Sequence, residues 1–163
     1  MRLRSSVTRK VIPVTTQAHT LDHSSVHFSA GRVTITLAAA IILAVAVNSL
    51  VARLAITGGA DPNFPPFALF NFGAFTLIGV LAGWLGWYLV QRHTSQPAQV
   101  LRWLVPVVGV LSFIPDIALG VLKFIPGTNW PGAIGLMAMH LVVIAVAVPA
   151  YVLAGRRPGQ ARP

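Results

Sequence analysis

A chain of 163 residues that is 55% hydrophobic and only 9% charged carries more apolar surface than a soluble fold of its length can bury. Its mean hydropathy of +0.75 makes lipid the solvent for much of it. The net charge of +9 comes from ten arginines and two lysines against three aspartates; these charges flank apolar runs and build no nucleic-acid-binding module, and the absence of cysteine excludes disulfides, thiolate metal sites and cysteine nucleophiles.

Residues 1–30 are polar and irregular and predict a flexible basic tail. They do not form a secretory signal, because the first apolar run starts only after Arg32. His19, His23 and His27 recur at four-residue steps, and three histidines suffice to hold zinc. The Ser-, Thr- and Asp-bearing context has no helical apolar period, so the spacing reads as coincidence, and neither metal nor other cofactor is expected. Arg2, Arg4, Arg9 and Lys10 are suited to anionic lipid headgroups, or serve only to hold the tail inside.

Four apolar runs follow, at 33–52, 68–90, 103–122 and 132–153. Each reaches the roughly 20 residues that a helix needs to cross a bilayer. The connections, TGGADPNFPPF, QRHTSQPAQ and KFIPGTNWPG, are short and rich in turn residues. The expected fold is all-α: a transmembrane four-helix domain over 31–155, between the tail and a short basic segment at 156–163.

Orientation follows from charge. One side collects Arg2, Arg4, Arg9, Lys10, Arg32, Arg92, Arg102, Arg156, Arg157 and Arg162, and the other has Arg53 and Lys123. The positive-inside rule places both termini in the cytoplasm. Trp87, Tyr88, Trp103 and Tyr151 are then expected at the inner interface, with Phe64, Phe67 and Trp130 at the outer one.

Helix faces come next. Hydrophobic packing does not drive helices together within lipid, so small and polar stripes mark the expected contacts. The second run aligns Thr76, Gly79, Gly83 and Gly86, the third Gly109, Ser112, Asp116, Gly120 and Lys123, and the first Ala44, Asn48 and Ala52. Counting from the midplanes at 1.5 Å per residue puts Asp116 about 5 Å and His140 about 4 Å into the outer half, on consecutive antiparallel helices. Asn48 and Thr76 project to the same half. These residues predict a polar layer centred on Asp116 and His140, because a carboxylate in hydrocarbon must pair or take up a proton. Pro115 lacks an N–H, leaves the Leu111 carbonyl without its helical partner and predicts a kink beside Asp116; Pro106 and Pro149 are expected to bend their helices in the same way.

Two roles are open for the acid and the imidazole: interhelical hydrogen-bonding glue, or a proton or ion site. Ser112 shares their face, but a serine triad also needs an oxyanion hole, of which the sequence has no sign.

The stretches LSFIPDIALG and LMAMHLVVIAVAVPA resemble an uncharacterised family of small four-span bacterial (actinobacterial-type) membrane proteins of unknown function. The likeness covers residues 35–153 and rests on Gly79 to Gly86, Arg92 to Pro97, Leu111 to Asp116, and Met139–His140. It implies the four-span architecture, a setting in the bacterial inner (plasma) membrane, and no activity. The expected function is therefore non-enzymatic, acting through transmembrane helix contacts with a second copy or another membrane protein. The alternative is an oligomeric proton- or cation-coupled transporter or channel using Asp116 and His140.

Overall fold

The computed structural model describes residues 30–155. Helices α1 (Ala30–Thr57), α2 (Leu69–His93), α3 (Pro97–Leu111), α4 (Ile114–Leu122) and α5 (Trp130–Gly155) form four spans, with α3 and α4 together making the third. All four spans are long and apolar enough to cross a membrane, and no strand occurs among the described residues.

The third span is interrupted where Pro115 predicts a kink, and the interruption is a full break between two helices. It breaks at Ser112–Phe113, where Pro115 in the first turn of α4 supplies no N–H to the Leu111 carbonyl. The chain bridges the gap with local bonds: the Ser112 amide donates to the Val108 carbonyl at 2.9 Å, and the Phe113 amide to Val110 at 3.1 Å. The helices containing Pro106 and Pro149 run on without such a break.

α1 and α5 are the central pair and pack antiparallel along their length. The buried residues of α1 include Ala40, Ala44, Asn48 and Ala52, one side chain every four residues. That stripe is flat enough for close approach. α5 answers with Gly135, while Gly132 makes room for the Phe64 ring. A Cβ on Gly135 would sit 2.8 Å from the Ala55 Cβ and 2.7 Å from the Phe67 ring, so no larger residue fits without moving a helix. Gly120 and Gly109 do the same work for the third span, against Trp130 and Ala133, and against Ile144.

The core forms two apolar clusters at different levels. Ala52, Phe64, Phe67, Phe72, Leu119 and Met139 pack at the end that carries the 58–68 and 123–129 loops. Leu37, Val80, Ala147 and Tyr151 pack towards the chain termini, with Trp84 and Trp87 against them.

Three of the aromatic residues expected near the span ends pack within these clusters. Phe64 is 1% exposed, and it meets Phe67 edge-on with ring centroids 5.2 Å apart. The Pro65–Phe67 turn folds this loop back into the mouth of the bundle, where the rings fill the space left by the glycines of α5. Tyr151 is likewise buried, and its hydroxyl donates to the Val80 carbonyl at 2.7 Å. The hydroxyl thus finds a protein acceptor in place of interfacial water.

A clasp closes the loop end. Asn129 caps α5 by accepting the Gly132 amide at 2.9 Å, and its Nδ2 donates to the Gly59 carbonyl at 2.8 Å. Gly127 takes φ +78° against Asp61, where a Cβ would lie 3.0 Å from Oδ2. The start of the last span is in this way tied to the end of the first.

Candidate functional site

The break in the third span shapes the site. α3 rests on α2, whereas α4 leans on α5 through Gly120. Between α2 and α4 this leaves a half-open cleft of about 620 Å³, with α5 and Asn48 of α1 as its floor. Asn48, Thr76, Ser112, Asp116 and His140 all line it, among side chains that are otherwise mostly apolar. Along their helices Asn48, Thr76 and His140 fall between the two apolar clusters. Asp116 lies six residues inside the end of α4, about 9 Å along the helix axis.

Asp116 is buried, at 5% exposure, and its Oδ2 stands 3.0 Å from Nδ1 of His140. The same Nδ1 is 3.0 Å from the Leu136 carbonyl, one turn back on α5. Of the two acceptors, only the Leu136 carbonyl receives an aligned hydrogen bond, so the carboxylate meets the imidazole as a close electrostatic neighbour and Oδ2 keeps unused acceptor capacity. The His140 side chain is 41% exposed, so the imidazole is half open where the carboxylate is enclosed.

Asn48 and Thr76 form a second pair. Nδ2 of Asn48 donates to Thr76 Oγ1 at 3.2 Å, joining α1 to α2. Both residues are buried, and Asn48 Oδ1 has no hydrogen-bond partner within the described residues. Ser112 belongs to the lining but not to a catalytic arrangement: its hydroxyl donates to the Gly109 carbonyl at 2.6 Å, inside its own helix. No group of three potential metal ligands occurs among the described residues. The His19, His23 and His27 spacing lies outside the described residues.

The glycines of α2 divide into different roles. Gly79 and Gly86 meet no atom within 4 Å in the Cβ direction, so neither packs a helix closely within the chain; Gly79 lies on the cleft wall. A methyl on Gly83 would fall on the Tyr151 hydroxyl, which makes Gly83 the small residue that lets α5 approach α2. Sequence reasoning missed Gly132 and Gly135. The three-residue step in PGAIG was the available signal, yet glycine is frequent in membrane helices and the step did not stand out.

Four apolar spanning helices with a partly polar interior define a small multi-pass α-helical membrane protein. The chain belongs to the family of unknown function DUF6069, whose match covers residues 28–157. No curated protein and no solved structure matches it.

Proposed function

We propose that this is a non-enzymatic multi-pass protein of the plasma membrane, with both termini cytoplasmic, that binds a small ligand inside the bilayer at the cleft between α2 and α4. The ten-to-two distribution of basic residues supports the orientation. The observation that carries the binding reading is the gathering of Asn48, Thr76, Ser112, Asp116 and His140 on one otherwise apolar wall.

The size of the cleft supports a small ligand over a partner helix. A helix with its side chains is about 10–12 Å across, so the cleft has room for little more than one turn of it. The volume of about 620 Å³ instead falls in the range of small-molecule sites, about 300–1,000 Å³. The helix-contact role expected from the stripes is therefore secondary to a ligand role here.

Photo-cross-linking in native membranes tests this. A benzophenone amino acid at Ile78, exposed on the cleft rim, is expected to capture a discrete small molecule that the same probe at Ile42 on α1 does not. Identical bulk-lipid labelling at both positions would refute the binding reading.

The juxtaposed acid and imidazole favour a second reading, in which an oligomer couples ligand or cation movement to a proton passed between Asp116 and His140. In proteoliposomes that reading predicts a pH-dependent flux that Asp116→Asn abolishes. A flux that Asp116→Asn leaves unchanged, or none at any pH, would exclude it.

A further inference from the structure

The geometry points to a hydrophobic amine as the ligand of the cleft: an apolar body of small-molecule size carrying one protonated amino group that donates to Asp116 Oδ2, with Asn48 Oδ1 as a further acceptor on the same wall. This inference rests on the binding reading above and adds the chemistry of the occupant.

The first support is a pair of unsatisfied acceptors. Asp116 and Asn48 are 5% and 1% exposed and both line the cleft; Asn48 Oδ1 has no hydrogen-bond partner, and Asp116 Oδ2, 3.0 Å from His140 Nδ1, receives no aligned hydrogen bond. Buried acceptors of this kind are costly unless a donor reaches them. A ligand that brings N–H groups supplies what the wall lacks.

The second is charge. The lining contains one carboxylate and no lysine or arginine. His140 is the one basic group beside Asp116, and its aligned hydrogen bond goes to the Leu136 carbonyl. A carboxylate in hydrocarbon favours a cation over a neutral or anionic guest. The lining also includes Phe72, Phe75 and Phe124, whose ring faces suit both an apolar body and a nearby ammonium.

The third is depth. Asp116 sits within the span and not at its end, so a phospholipid ammonium would have to drag its phosphate into the apolar wall and towards the carboxylate. A free amine without a phosphate avoids both costs.

The test is calorimetric titration of the full chain in phosphatidylcholine nanodiscs with phenylbutylamine, phenylbutanol and phenylbutyrate, and with lysophosphatidylethanolamine as the lipid arm. The amine is expected to bind more tightly than the alcohol and the carboxylate by roughly tenfold or more, the worth of one hydrogen bond to a charged group. Asp116→Asn is expected to reduce amine affinity to that of the alcohol. The comparison of ligands on the native chain stands even if the variant does not fold. Equal binding of amine and alcohol, or preference for the carboxylate, overturns the amine inference while leaving a binding cleft in place. Preference for the lipid ammonium overturns the choice of a free amine. No binding of the amine also overturns it, and the Ile78 cross-linking then judges the cleft on its own.

Discussion

Gly135→Leu is expected to destabilise the bundle strongly, while Gly79→Ala is expected to be harmless. The first places a branched side chain where even a Cβ would lie 2.7 Å from Phe67 and 2.8 Å from Ala55. Phe67 is held edge-on by Phe64, and the Ala55 Cβ is fixed directly to the α1 backbone in the central α1–α5 pair, so neither neighbour yields easily. Overpacking of this kind costs about 1–3 kcal/mol or more, a large share of a domain's stability of about 5–15 kcal/mol. Gly79 has nothing within 4 Å of its Cβ direction, and alanine is the better helix former. Thermal unfolding in detergent separates the two. A loss at Gly79→Ala as large as that at Gly135→Leu would mean that Gly79 packs against a helix after all, and a harmless Gly135→Leu would contradict the α1–α5 packing described here.

That contrast shows what the sequence displays and what it hides. The four spans are plain in the hydropathy, because about 20 apolar residues at 1.5 Å rise fit only one solvent. The shared depth of Asp116 and His140 is also legible, since consecutive short-looped spans must run antiparallel and depth is then a matter of counting. Partner choice is not. Small-residue stripes occur on every span and state which faces permit close approach; which faces meet is set by how the loops and the break in the third span direct the helices. Pro115 announces a broken hydrogen bond, but the turning of α4 onto α5 depends on Gly120 meeting Ala133, a contact between residues of different helices. Phe64 and Phe67 are ambiguous for a related reason. An aromatic ring near the end of a span serves equally as an interface anchor or as a plug for the bundle mouth, and the Pro65–Phe67 turn chooses the plug.

The site combines two kinds of cost. Asp116 gives up hydration in exchange for a neighbouring imidazole, and Asn48 does so in exchange for one bond to Thr76. Neither exchange is complete: Asn48 Oδ1 has no partner, and Asp116 Oδ2 faces the imidazole without an aligned hydrogen bond. In a stretch with few other polar groups, such incompleteness concentrates any interaction with a guest at one place. The apolar clusters above and below keep that place fixed, and the Asn129 clasp ties the first and last spans together at the loop end.

The central claim is that Asp116 and His140 are partners across α4 and α5 on the wall of a single cleft. A double-mutant cycle with Asp116→Ala and His140→Ala, read as thermal stability in detergent without added ligand, tests it most directly. The cost of His140→Ala is expected to shrink or vanish once Asp116 is gone, giving a coupling of about 0.5–3 kcal/mol. Losses that add within about 0.3–0.5 kcal/mol would mean that the two side chains do not interact, and would contradict the account.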